Sequence, residues 1–216
     1  MNKFPLLWIA MLATMLACKP EIRTEAELYQ WINDPENGFV QTRKVNDLSI
    51  TVKYLPAAFL AYKEGRNMPR ATQKERDSLL NYYSHSRTFL MTIKPEVASG
   101  ASGDVIYQGI GNYQEYQQRV MQLNFHLGEY LSLHAGKQLF VPSLSTMENT
   151  YGVTELRNFY LVFSDTDAHT SLLTENELDF TFQDEIFNTG ISHFVFQKKK
   201  IEALPKMTEL TTPTAL

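Results

Sequence analysis

The chain has 216 residues, one cysteine, 20 Lys+Arg against 24 Asp+Glu, and a formal charge of −4. That length allows one large domain with an appendage and hardly three domains, and the 44% apolar and 12% aromatic fractions exclude a wholly disordered or fibrous chain. A single cysteine excludes an internal disulfide and zinc sites built from several thiolates, and the acidic balance argues against nucleic acid as a partner.

Residues 1–18 (MNKFPLLWIAMLATMLAC) place Lys3 ahead of a 13-residue segment, 4–16, that is apolar apart from Thr14 and ends at Ala17 and Cys18. Spanning a bilayer takes about 20 apolar residues, so this segment fits the hydrophobic region of a signal peptide better than a membrane helix. Lys19, Pro20, Glu21 and Arg23 then end the apolar run. The segment resembles a bacterial lipoprotein signal peptide, whose lipobox closes on a small residue followed by the acylated cysteine. Met15 and Leu16 stand where its strongest form has leucine and a small residue. The resemblance implies cleavage after residue 17, a diacylglyceryl thioether on Cys18 and an acylated amine, and two or more chains anchor firmly where one does not. It would also account for the lone cysteine. The aromatic-rich body is similar to lipoproteins of the Bacteroidetes group, which implies the outer membrane, on its periplasmic or its surface-exposed side.

In the mature chain, Thr24 and Glu27 have capping-box spacing ahead of Leu28, Trp31 and Ile32, which predicts a short helix stopping at Asp34 and Pro35. Leu48, Ile50, Val52 and Tyr54 alternate with polar residues, as in a half-buried strand ended by Pro56. Residues 57–63 fit either a helical turn or an edge strand. A second capping box, Thr72 and Glu75, opens a helix over 73–84. Residues 87–94 read as a strand, residues 99–104 as a loop, and Asn112 with Glu115 caps a third helix carrying Tyr113, Tyr116 and Val120.

Met121, Leu123, Phe125 and Leu127 alternate with Gln122, Asn124 and His126, which predicts a further strand, followed by a hairpin through His134, Ala135 and Gly136. Residues 159–163 (FYLVF) have no polar member and read as a central strand covered on both faces. Leu178, Phe180 and Phe182 alternate, and a final strand over 191–197 points Phe194 and Phe196 one way, with Lys198, Lys199 and Lys200 as a solvated edge beyond it. The expected organisation is a signal peptide (1–17), an anchor segment with one helix (18–38), a β-sandwich domain (39–204) and a flexible tail (205–216). The expected fold is mainly β, a single antiparallel sandwich of Ig-like type, about seven strands with short inserted helices and no parallel sheet.

Catalytic signals are thin. Asp165, Asp167 and His169 follow FYLVF but lack the glycine and carboxylate offsets of a calcium loop, and no two histidines stand four apart, so the ordinary reading is a solvated turn with no metal. Ser84, His85 and Ser86 are adjacent, a poor arrangement for a nucleophile and its base, and no G-x-S-x-G elbow occurs. Glu175, Glu177, Asp179, Asp184 and Glu185 could pair for glycoside chemistry, yet their alternation with Leu178 and Phe180 reads as an outer sheet face. Gly109 and Gly111 lack the third glycine of a phosphate loop. No cofactor and no enzymatic activity are expected.

Tyrosines exceed what one core can take up. Tyr82, Tyr83, Tyr113 and Tyr116 on the inserted helices are the candidate binding patch. The leading reading is a non-enzymatic lipoprotein held at the bilayer by acylated Cys18 that binds or scaffolds another envelope protein. The alternative is a surface lipoprotein that binds or processes glycan.

Overall fold

The computed structural model describes residues 21–68, 70–96, 103–149, 154–164, 175–205 and 207–211; Cys18 and the Asp165–His169 loop lie outside them. Thr24 ends β1 (Ile22–Thr24) and opens α1 (Glu25–Asn33). Its hydroxyl accepts from the Glu27 N–H while the Glu27 carboxylate accepts from the Thr24 N–H, so the capping box forms as the spacing predicts. β2 (Val40–Val45) and β3 (Leu48–Leu55) make a hairpin around Asn46, which adopts φ 54°, the left-handed region that asparagine tolerates. Pro56 then starts α2 (Ala57–Gly65), which resolves the ambiguity of that stretch in favour of helix. A complete capping box at Thr72 and Glu75 opens α3 (Gln73–Ser84), and β4 (Ser86–Pro95) follows at once.

Beyond a 3-10 turn at Val105–Tyr107 comes α4 (Tyr113–Met121). The Asn112 side chain accepts from the Glu115 N–H at 3.0 Å, but the Glu115 carboxylate accepts from the Gly111 N–H at 2.8 Å, one residue beyond the N–H that a capping box uses. The strand expected over 121–127 does not form. Gln122–His126 is a π turn and Leu127–Tyr130 a 3-10 turn. The reason is burial: Leu123 and Leu127, four apart, are 1% exposed, whereas Met121 and Phe125 face out at 54% and 76%. The apolar residues that matter therefore follow a helical period, and the alternation was coincidental.

The remaining elements are β5 (Leu131–Ala135), β6 (Gln138–Phe140), β7 (Leu144–Met147), β8 (Arg157–Ser164), β9 (Glu177–Asp184), β10 (Gly190–Gln197), α5 (Lys198–Ile201) and β11 (Met207–Thr211). Gly136 turns β5 into β6 at φ 59°, a backbone conformation that favours glycine, with the mobile end of the Glu175 side chain 2.8 Å from where a Cβ would stand. The three lysines expected as a solvated edge beyond the last strand lie in α5, and Lys200 donates to the Glu36 carbonyl at 2.6 Å.

The architecture is a mixed α/β domain with two antiparallel sheets and several helices. Five strands run in the order β2-β3-β4-β8-β7 and four in the order β10-β9-β5-β6. β1 and β11 pair in parallel, which corrects both the expected absence of parallel pairing and the placing of residues 207–211 in a flexible tail. β4, not β8, is the middle strand of its sheet, and β8 buries only Phe159, Leu161 and Phe163 fully while Asn158, Tyr160 and Val162 are half-buried. β1 and α1, set outside the domain by sequence, supply Ile22, Leu28 and Ile32 to the same core.

The two sheets meet through aromatic rings. Phe89 on β4 lies 5.2 Å from Phe180 on β9 and 5.3 Å from Phe196 on β10, and Phe163 on β8 lies 5.9 Å from Phe180. Edge-to-face and tilted ring pairs of this kind add to the burial of their own area. Among the described residues no helix is long and apolar enough to cross a membrane.

Candidate functional site

The four tyrosines of the expected patch divide into two groups. Tyr82 and Tyr83 end α3, beside the start of β4. Tyr82 is 72% exposed and meets Tyr83 edge-on at 5.2 Å. Tyr83 is not free: its hydroxyl donates to the Glu64 carboxylate on α2 at 2.5 Å, and that bond, with burial second, pushes its phenol up to about 12. Tyr83 thus ties α3 to α2, and Tyr82 alone of this pair presents an open ring.

Tyr113 and Tyr116 stand near the far end of β4. The 3-10 turn carrying Tyr107 is joined there to β8, through the Val105 N–H on the Glu155 carbonyl at 2.9 Å and through an ion pair of Asp104 with Arg157, the register partner of Ile93. Ser86 and Ile93 are seven residues apart, so on the order of 20 Å of strand separates the two tyrosine groups. The sequence patch is therefore two surfaces.

The second surface is a column of three rings. Tyr107 stacks on Tyr116 at 5.1 Å with 6° between planes, and Tyr113 stacks on Tyr116 at 6.0 Å and 26°. Tyr107 and Tyr113, the outer members, are 57% and 71% exposed. The Tyr116 phenol is held above its ordinary value, first by its hydrogen bond with Tyr107. Tyr107 escaped the sequence reading because Val105, Ile106 and Tyr107 show no period, and only the fold brings this turn beside α4.

Arg119 fixes that arrangement. Its guanidinium donates to the carbonyls of Ile106, Gln108 and Ile186, the first and last at 3.4 and 3.3 Å, and lies 4.8 Å over the Phe187 ring. Burial lowers its pKa. It borders a cavity of about 230 Å³ with Asn46, Gln108 and Asn188, and its three bonds to backbone oxygens hold α4 against the two loops. Asp184, 3% exposed, organises the β9–β10 loop by accepting from the N–H groups of Ile186, Phe187 and Thr189.

The acidic stretch has a different environment. On the outer face of the four-stranded sheet, His134 stands opposite Asp179 in register, and His193 Nδ1 lies 2.9 Å from Asp179 Oδ2 and 3.3 Å from Thr181 Oγ1. Ser132 Oγ is 3.5 Å from His134 Nε2, the outer limit of a hydrogen bond, and Asp179 engages His193 and not His134. No oriented Ser–His–carboxylate relay results. The cavity of about 360 Å³ over these residues is lined by Glu175, Glu177 and the imidazoles of His134 and His193, and among the described residues no Tyr, Trp or Phe ring joins its lining. Among the described residues no three His, Cys, Asp or Glu side chains are grouped to hold a metal ion. His85 and Ser84 both engage the Asn81 carbonyl, at 2.6 and 2.7 Å, as local contacts at the end of α3.

No family model matches the chain, and no curated protein matches it. Among solved structures it is similar to a novel protein of unknown function from Burkholderia pseudomallei K96243, with 10% identity over 83% of this chain and 86% of that one and a TM-score of 0.36.

Proposed function

We propose that this chain is a non-enzymatic lipoprotein, anchored in the outer membrane through acylated Cys18, that binds another protein of the cell envelope through the Tyr107–Tyr116–Tyr113 column. The observation that carries the binding role is the exposure of two stacked rings on a braced scaffold. Tyrosines held in this way offer amphipathic contact area at little entropic cost on association. The anchor rests on residues 4–18, whose apolar segment and terminal cysteine match a lipoprotein leader. The body is read as an Ig-like sandwich elaborated by helices, and the ring contacts of Phe89 with Phe180 and Phe196 support that reading.

Two measurements test this. Intact mass and fractionation of wild type and Cys18→Ser should show a lipid increment and membrane residence only for wild type; a wild-type mature chain without lipid would remove the anchor. Affinity capture from detergent-solubilised envelope should recover one defined protein with wild type and lose it with the Tyr107→Ala/Tyr113→Ala double variant. Equal recovery by both would remove the tyrosine column from the binding role.

A further inference from the structure

The outer face of the five-stranded sheet carries a row of register partners across three strands: Lys53 on β3, Leu90 on β4 and Tyr160 on β8. α1 and α2 lie over this row and do not close on it. Between them remains a cavity of about 180 Å³, walled by Tyr29 and Phe59, which meet edge-on at 5.4 Å, by Tyr160, and by Leu55 and Leu90. Two lysines and, among the described residues, no acidic residue line it.

Lys53 is the polar anchor of this cavity. Its ammonium donates to Asn33 Oδ1, and Asn33 Nδ2 donates to the Tyr29 carbonyl at 2.7 Å, so the amide is oriented with its oxygen toward the lysine. An ammonium has three donors, and two remain. Lys63 stands 5.7 Å over the Phe59 ring. Neither lysine forms an ion pair among the described residues, whose pairs all involve other cations. Burial alone pulls the Lys53 pKa down. A half-buried ammonium with only an amide partner is unfavourable unless an anion compensates it. A lysine stem covering apolar surface accounts for one such residue. It does not account for two cations around a partly open aromatic space that no carboxylate lines among the described residues.

The volume sets the size of the guest. An apolar cavity of about 150 Å³ accepts benzene. We propose that this cavity binds a small aromatic monocarboxylate, its ring between Tyr29, Phe59 and Tyr160 and its carboxylate on the Lys53 ammonium. The site lies apart from the tyrosine column, and its failure would leave the envelope-binding reading untouched.

The test is calorimetric titration of the full-length chain, in a neutral maltoside detergent, with phenylacetate, its neutral amide, acetate and hexanoate. Phenylacetate should bind saturably, and about tenfold or more tighter than phenylacetamide, as a charge-assisted hydrogen bond predicts. Acetate should not bind measurably. Lys53→Met should abolish the preference for phenylacetate over the amide while leaving the melting curve cooperative, and Leu90→Phe should exclude both ligands. The comparison among ligands on wild type stands even if a variant folds poorly. Absence of saturable phenylacetate binding at millimolar concentration, or equal affinity for acid and amide, would overturn the proposal. Tighter binding of hexanoate would overturn the aromatic assignment.

Discussion

Arg157 and Asp104 form an ion pair whose side chains are 8% and 15% exposed, across 53 residues of sequence. Asp104 also accepts from the Ile106 N–H at 3.0 Å and so caps the turn that carries Tyr107, while Arg157 donates to the carbonyls of Thr154 and Leu156 at 3.2 and 3.0 Å. Burial lowers the Arg157 pKa, as desolvation of a cation does. The pair therefore joins the end of β8 to the base of the tyrosine column.

Removing one member should leave the other charge enclosed. Asp104→Ala is expected to cost about 3–5 kcal/mol, whereas Asp104→Ala with Arg157→Met should recover much of that loss. Urea melts of the three proteins check this. A double variant no more stable than Asp104→Ala would show that the pair is not the source of the loss.

Phe180 touches rings from both sheets, Phe89 at 5.2 Å, Phe163 at 5.9 Å and Phe194 at 6.1 Å. Phe180→Ala should cost about 3–5 kcal/mol through lost burial and a cavity that rigid neighbours cannot refill. Gln183→Ala, exposed on the same strand, should cost below about 0.5 kcal/mol. Equal midpoints in denaturant for the two variants would mean that the sheets do not share this core.

Acid should destabilise the fold by a defined route. Glu75 and Glu27 lie below their ordinary value of 4.5, chiefly because backbone N–H groups at Thr72 and Arg23 donate to them, and Glu96 does so chiefly through Lys44. A carboxylate with a depressed folded pKa stabilises above its unfolded value and loses that contribution as pH falls through the folded one. Melting temperature should therefore decline below about pH 4.5, and Glu75→Gln should flatten part of that decline. An acid limb unchanged by Glu75→Gln would remove this cap from the explanation.

Tyr83 should titrate late. With Glu64 holding its phenol up to about 12, the ultraviolet titration of wild type minus that of Glu64→Gln should isolate Tyr83 from the other raised phenols, Tyr54, Tyr62, Tyr116 and Tyr160. The pKa is raised on folding, so its stabilising contribution is complete below the unfolded value near 10 and is lost as pH climbs through 12. Glu64→Gln should bring that phenol down toward 10, and an unshifted titration would show that Glu64 does not hold it.

Much of the local structure was legible in the chain. The helix starts at Thr24 and Thr72 follow from side chains reaching amides three residues away, an interaction that needs no distant partner. The alternation of Ile50, Val52 and Tyr54, and of Leu178, Phe180 and Phe182, identified the inner faces of these strands because the strand period is two, but Ser49 and Thr181 on the opposite faces are buried as well. Tyr113 and Tyr116 were also legible as neighbours on one helix face, three residues apart.

Alternation alone failed over 121–127, because a residue's inward direction there depends on which neighbour covers it. Leu123 and Leu127 are enclosed one turn apart, and that burial chose helix over strand. The site residues missed by sequence share the same cause. Tyr107 joins Tyr116 through distant contacts, Asp104 with Arg157 and Arg119 with the Ile106 and Gln108 carbonyls, and the row of Lys53, Leu90 and Tyr160 comes from three strands paired across long loops. Local propensity is encoded within a few residues and can be read from them. Register and enclosure arise only when distant segments close their loops and exclude water together, and these decided which tyrosines stand in one column and which lysine faces a cavity.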